Sequence, residues 1–429
     1  MRRSFALGLA LAVAGLAAVG CSPGADGTGG GGAGGSTWST STSTTVGGGG
    51  SGGHCDDPAL CALLAALRTD RDAALQAQSD ADGWPAPVGG GYLFVSAEPS
   101  LALCAGDHDG WVGTPMTVES DFAWVVVDAP AGDAYKLTDG TTWLADPWAR
   151  SYTYDAYGEM SLVTPASAHR ERFFNVTDGV VLPRTVRVWR PASQPTHVLY
   201  AHDGQNLFDP NAPWGGWQLD ASAPPGMLVV GIDNTPARMD EYTQVEDVID
   251  GTTMGGAAPA YADFVETTVR ALVASHYGEP PIRGVIGSSL GGLVSFYQAL
   301  RHPGSYAFAA SLSGTMGWGA IGLDGAAHHP TIVESYAAAG HGSTALYLDS
   351  GGDGACWAGY ADADGDGIDD DDPTAGDNYC ENAQTRDVLY AEGYQSGVDF
   401  WYWHEPLAEH NEAAWAARVW RPLDIFAGL

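Results

Sequence analysis

Gly287-Ser288-Ser289-Leu290-Gly291 has the residue types and spacing of a turn that exposes a nucleophilic hydroxyl. Such a turn is sharp, and small residues two before and two after the serine relieve its crowding. Ser289 alone has glycine at both places, since Ser288 has Ile286 behind it. A serine hydroxyl is a poor nucleophile at neutral pH, so it needs a base within hydrogen-bond reach and an acid to orient that base. After a strand–turn–helix of this kind the partners follow in the chain order serine, acid, histidine. His410, in Glu409-His410-Asn411-Glu412, is the expected base, and His404, which continues the preceding strand, is its rival. For the acid, Asp353 is preferred because it ends the Gly-rich turn after Leu346–Leu348. Asp349, nearer that strand, is the alternative. Two backbone N–H groups must meet the developing oxyanion. Leu290, just after the nucleophile, and Gln205, in Ala201-His202-Asp203-Gly204-Gln205, are assigned to this, with His202 and Asp203 shaping the loop.

These groups need elements to hold them. From about residue 173 onward, short apolar runs alternate with helical stretches: Val186–Trp189, His197–Ala201, Met227–Ile232, Arg283–Ile286, Phe308–Leu312, Thr344–Leu348 and Asp399–Trp403. Strands so uniformly apolar are buried on both faces, and the alternation predicts α/β architecture with a doubly wound, mostly parallel sheet over 169–429. Upstream, residues 84–168 read as short alternating strands broken by Gly, Pro and Asp, the pattern of a small β-sandwich. Leucines at helical spacing predict a short helical segment within 54–83, with Asp57 as N-cap and Pro58 at the first helical position.

The N-terminus is of a different kind. Arg2 and Arg3 precede an apolar run, Phe5–Val19, too short to span a membrane comfortably, and small residues then lead into Cys21. Residues 1–20 therefore read as an export signal. Their end resembles a lipoprotein lipobox, which implies lipidation of Cys21, with an ordinary cleaved signal as the alternative. Residues 21–53, rich in Gly, Ser and Thr, read as a flexible spacer. The expected location is the bacterial cell envelope, outer membrane or periplasm, or the exterior, with membrane contact only through the lipid. In an oxidising compartment cysteines pair by default. Cys356–Cys380 is the expected disulfide, pairing among Cys55, Cys61 and Cys104 stays open, and the odd count of five leaves one thiol free.

Among 429 residues, 52 Asp and Glu stand against 18 Lys and Arg, a formal net charge of −34. That surface repels phosphate and excludes nucleic acid as a partner. Part of the excess sits in an insertion, 356–380. There Asp362, Asp364, Asp366 and Asp370 alternate with glycine in a way that suits a hard cation with oxygen ligands. Asp362, Asp364, Asp366 and Gly367 resemble the thrombospondin type 3 repeat, which implies a structural Ca²⁺.

Tyr200–Asp209, Val230–Asn234 with Arg238 and Glu241-Tyr242, Gly287–Leu293 and His410–Trp415 together resemble the esterase D/ferric enterobactin esterase branch of the α/β-hydrolases. That branch includes feruloyl and acetylxylan esterases. The resemblance implies a serine carboxylesterase with no organic cofactor, acting on a small or polysaccharide-linked ester or a siderophore lactone. It also implies cleft roles for Trp214, Trp217 and Arg238. Tyr135–Pro147 with Asp155–Gly158 resembles the early-set immunoglobulin-like module beside glycogen-branching enzymes. That implies glucan binding through Trp111, Trp124 or Trp143, or a module that only shapes the neighbouring cleft. The competing function is a catalytically inactive carbohydrate-binding surface lipoprotein.

Overall fold

The computed structural model describes residues 56–249, 251–321, 328–356, 362, 365–369 and 377–429. Among the described residues that follow residue 168, eight strands share one sheet, apart from a small hairpin of Glu246–Ile249 and Thr252–Gly255: β1 (His169–Val176), β2 (Arg184–Arg190), β3 (His197–His202), β4 (Met227–Ile232), β5 (Ile282–Ser288), β6 (Phe308–Leu312), β7 (Ala345–Ser350) and β8 (Phe400–His404). They lie side by side in the order β8-β7-β6-β5-β3-β4-β2-β1. From β4 to β8 every pairing is parallel, whereas β1 and β2 run antiparallel. The chain has the α/β-hydrolase fold, as its sequence pattern predicts.

Successive side chains of a strand face opposite sides of the sheet. Val198, Tyr200, Leu228, Val230, Val285 and Leu346 accordingly enter one apolar core. Their neighbours Leu199, Ala201, Met227, Val229, Ile286 and Tyr347 enter the other. Helices must cover both faces. The N-terminal segment forms two helices rather than one, α1 (Pro58–Thr69) and α2 (Arg71–Asp80). Asp70 separates them: its extended backbone ends α1 while its carboxylate accepts from the Ala73 N–H at 3.1 Å and caps α2. Downstream, α3 (Leu290–Arg301) follows β5, α4 (Tyr379–Ala391) precedes β8, and α5 (Glu412–Arg418) with α6 (Trp420–Ala427) closes the chain.

The upstream module has a four-stranded antiparallel sheet built from 86–88, 91–96, 117–118 and 123–127. Its second sheet is continuous with that of the hydrolase, because 151–155 pairs with β1 through Arg170↔Tyr152 and Glu171↔Ser151. Arg172 of β1 strengthens the seam, donating to the carbonyls of Ala149 and Asp146 and to Glu159. Cys104 is buried there as a free thiol, and Cys61 is disulfide-bonded. Cys21 and Cys55 lie outside the described residues. No helix among the described residues is long and apolar enough to cross a membrane.

Trp84 fastens the two N-terminal helices to the module. It is 1% exposed, packs with Leu64, Leu67, Leu75 and Phe122, and donates its indole N–H to the Leu75 carbonyl at 3.0 Å. Trp84→Ala should cost about 3–5 kcal/mol, as large-to-small core changes do. A Tm within a degree of wild type would show that the helices contribute little.

Candidate active site

Parallel strands gather their C-terminal ends along one edge of the sheet, where ligands of open α/β sheets bind. β5 ends at Ser288, beside Leu312 of β6, which in turn lies beside Asp349 of β7; Ser350 lies beside His404 of β8. Ser289 follows with φ 56° and ψ −126°, a backbone conformation a non-glycine residue adopts only when its surroundings enforce it. The enforcement is visible. A Cβ on Gly287 would come within 2.4 Å of the Gly291 backbone, so the turn closes only with hydrogen at that position. The Ser289 N–H donates to the Leu312 carbonyl at 3.0 Å, and the Ser289 carbonyl accepts from Gly292, Leu293 and Thr315. Leu290 is the first residue of α3, where a backbone N–H has no acceptor within the helix.

Beyond β8 the chain reaches His410, then Asn411, which caps α5 by accepting from the Ala414 N–H at 3.0 Å. His410 Nδ1 lies 2.6 Å from Asp377 Oδ1, and the ring stands edge-on to Trp415. The carboxylate that meets His410 is therefore that of Asp377 and not that of Asp353. Asp353 is exposed past the Gly351-Gly352 turn, where Oδ1 accepts from the Ala355 N–H at 2.9 Å. The reason lies at the strand end: Gly351 turns its own N–H toward Asp377 Oδ2, at 2.5 Å, so that β7 receives the carboxylate instead of supplying it. Asp349 also stays away from the imidazole. It is fully buried and bound to Arg418 and to the Tyr347 hydroxyl, and burial pushes its carboxyl up to about 6 against those partners. His404 points back to the Gly352 carbonyl and lies tilted against the Tyr379 ring, 4.7 Å between centroids.

The structure brings Ser289, His410 and Asp377 to the same sheet edge. The Ser289 hydroxyl does not bond His410; it faces Thr315 Oγ1 at 3.5 Å. Asn378, next to Asp377, donates to that same Thr315 hydroxyl at 3.2 Å and to the Ser313 carbonyl. Catalytic hydrogen bonds of this kind are often unformed before substrate binds.

The loop after β3 carries Gln205. Asp203 sits in the left-handed region at φ 58°, and Gly204 packs so closely on β4 that a Cβ would lie 2.6 Å from the Gly231 carbonyl carbon. Asp203 is gripped by Arg238 through two bonds, 2.7 and 2.8 Å, and by Asn234. Burial raises the Asp203 carboxyl, but Arg238 and Asn234 outweigh it and hold it below the usual range. His202 is neutral: burial lowers it to about 3 despite Asp203, and its Nδ1 meets the Tyr261 hydroxyl at 2.9 Å. Asn206 reaches across to Glu412 at 3.1 Å, joining this loop to the segment of His410.

Of the expected cleft residues, Trp217 is buried and Arg238 is paired with a carboxylate. Trp217 is 3% exposed and packs on Trp415, because the Gly215-Gly216 turn directs it into the core. Arg238 is committed to Asp203 beneath the loop and lies over the Tyr242 ring. Trp214 is different: it is 66% exposed, with φ 61°, in a turn that packs against α5. A crevice of about 330 Å³ lined by Gln76, Asp80, Phe173 and Leu272, among others, includes none of the triad. Cys356 and Cys380 form the expected disulfide. Of the expected cation ligands, Asp364 and Asp370 lie outside the described residues, and Asp366 Oδ2 faces His328 Nδ1 at 3.1 Å. Among the described residues no three His, Cys, Asp or Glu side chains are grouped to hold a metal.

The family model described as "Putative esterase" matches residues 175–422. The chain belongs to this esterase family. An uncharacterized protein, YbbA of Bacillus subtilis (strain 168), is 29% identical over 126 residues, 28% of the chain and 49% of that protein, so the chain spans about half the length of this curated relative. An IroE-like serine hydrolase from Shewanella oneidensis aligns over 60% of the chain and 80% of its own, at 18% identity and TM-score 0.46. The enterobactin esterase FES from Shigella flexneri aligns over 79% and 93%, at 13% identity and TM-score 0.43.

Asp377 escaped the sequence argument because it closes the acidic insertion instead of following the strand. Its one local signal is Gly376-Asp377-Asn378 directly before α4 and three residues short of Cys380. Asp377→Asn should slow fluorophosphonate labelling of Ser289 by roughly 10³–10⁴-fold, as loss of the orienting acid does. Asp353→Asn should leave the labelling rate unchanged. The reverse ranking would return the role to Asp353.

Proposed function

We propose that the chain is a serine carboxylesterase working through an acyl-enzyme. The His410–Asp377 bond, at the strand ends where Ser289 is held on its turn, is the observation that carries this reading. As Ser289 Oγ bonds to the ester carbonyl carbon, its proton passes to His410 Nε2. Asp377 holds the opposite nitrogen and balances the imidazolium. The carbonyl oxygen becomes an oxyanion facing the N–H groups of Leu290 and Gln205, each such donor being worth about 3–4 kcal/mol in the transition state. Collapse breaks the bond to the alcohol oxygen, which takes the proton from His410. Water then attacks the acyl carbon with His410 again as base, releasing the acid and restoring Ser289.

An acetyl or hydroxycinnamoyl ester on polysaccharide, a siderophore lactone and a smaller ester all fit this chemistry. The upturned Trp214 beside α5 supports a flat or sugar-linked acyl group over a very small one. In the early-set-like module, Trp111 and Trp143 stand 6.4 Å apart, with Trp143 exposed, which supports glucan contact there; the Trp124 indole is tied to Glu119. Export and anchoring through Cys21 extend the proposal to the cell envelope. For the acidic insertion we retain calcium, supported by Gly365 and Gly367 at φ 82° and 94°, which permit the tight turns of an oxygen cage.

Ser289→Ala should lower turnover of p-nitrophenyl acetate by at least about 10⁴-fold with an unchanged Tm. Undiminished turnover would remove Ser289 from the mechanism. Wild type inert toward every ester yet retained on a glucan column would favour the carbohydrate binder instead. Chelation with EDTA should lower the Tm by several degrees and leave kcat in the folded enzyme unaltered; superimposable melting curves with and without calcium would reject the cation.

A further inference from the structure

Behind the His410–Asp377 pair lies a second layer whose atoms are committed one by one. Arg418, at the end of α5, is 1% exposed; Asp349 and Asp377, 0% and 1% exposed, flank it. Its Nε donates to Asp349 Oδ1 at 3.1 Å, its Nη1 to the Ala414 carbonyl, and its Nη2 to Ser313 Oγ at 2.6 Å and Asp377 Oδ2 at 3.4 Å. Ser313 Oγ also accepts from the Trp415 indole at 3.1 Å. With two donors aimed at it, the Ser313 hydroxyl has only its hydrogen left to offer, and that goes to Asp377 Oδ2 at 2.5 Å. Oδ2 thus receives the Ser313 O–H, the Gly351 N–H and Arg418, while Oδ1 meets the imidazole.

Resting on the esterase reading, we propose that Arg418 is a positioning residue: with Ser313 it saturates one oxygen of Asp377 so that the other is aimed at His410, and its charge, shared with Asp349, sets how tightly His410 holds a proton. Two buried carboxylates side by side repel, and a buried guanidinium between them is what lets both persist. A cation behind Asp377 weakens the pull of that carboxylate on imidazolium; Asp349 weakens the cation in turn. The other charged groups around the pair are Glu412 and Glu409 on the histidine segment and Asp203 and Arg238 beneath the oxyanion loop, which act on Glu412. They are the same in every variant below.

The two charges make opposite demands, and that separates an electrostatic role from mere packing. Arg418→Gln should move the lower inflection of the kcat/KM–pH profile upward by roughly one unit, and Asp349→Asn should move it downward by a similar amount. Arg418→Lys should bring the inflection back toward wild type. NMR titration of the His410 ring in the Ser289→Ala chain reads the same shifts without turnover. Absence of wild-type esterase activity would defeat the esterase reading, and the ring titration would still decide this one. Should Arg418→Gln fail to fold, the direction in Asp349→Asn decides alone. Inflections that stay in place, or that move the same way in both folded variants, overturn the proposal.

Discussion

Everything at this sheet edge depends on burying the Asp377 carboxylate without stranding it. A carboxylate removed from water loses hydration that fixed donors must replace, and a missing donor is costly in proportion. Here the donors come from four separate places: Gly351 after β7, Ser313 after β6, Arg418 at the end of α5 and His410 before its start. Each of those segments is thereby pulled to a common point. The parallel register of β5, β6, β7 and β8 brings their ends within reach, and the carboxylate decides how the loops beyond them turn.

The nucleophile is held by different means. Its turn combines exclusion with backbone hydrogen bonds: Gly287 lies tight against Gly291, and Ser289 is held in a strained conformation. Strain of this kind persists only where the neighbours over-determine it. The Leu312 carbonyl and the Thr315 N–H, both from the strand end and loop of β6, supply that constraint. The same loop therefore grips Ser289 through Thr315 and Asp377 through Ser313, which couples the two halves of the site without direct contact between them.

Much of this was legible in the sequence because it is local. A glycine pair around Ser289, apolar runs of strand length and His410 ahead of a capped helix each need only a few neighbouring residues to be recognised. What escaped was set by distance along the chain. A carboxylate partner for His410 is expected just past β7, yet the one that meets it arrives 26 residues after Gly351, at the far side of an insertion. The continuity of the module's second sheet with β1 depends on Tyr152 meeting Arg170, a pairing that no alternation pattern announces. Trp217 and Arg238 show a third limit. Composition marks them as capable of binding, but whether the tryptophan faces outward or enters the core depends on a glycine turn, and what the arginine holds depends on Asp203.

The insertion then has a structural meaning independent of what it binds. A chain that leaves the sheet after Ser350 and must return Asp377 to within hydrogen-bond distance of His410 pays conformational entropy for the excursion. Three ties oppose it. The Cys356–Cys380 disulfide closes the excursion at its base, over a sequence separation of 24, which in the chain-entropy model restricts the unfolded chain by roughly 3–4 kcal/mol. Gln384 on α4 accepts from the Asp369 N–H and donates to the Gly367 carbonyl, fastening the described part of the loop to the helix that follows Asp377. His328 spans Asp366 and Glu334, and the hydrogen bonds to Glu334 and Asp366 favour its protonated form and raise it above the usual histidine range. Two of these ties, the disulfide at Cys380 and the Gln384 bonds, fall on α4, and Asp377 lies two residues ahead of its first residue. An ornament on the surface would need no such anchoring; a loop that must return a buried carboxylate to His410 does.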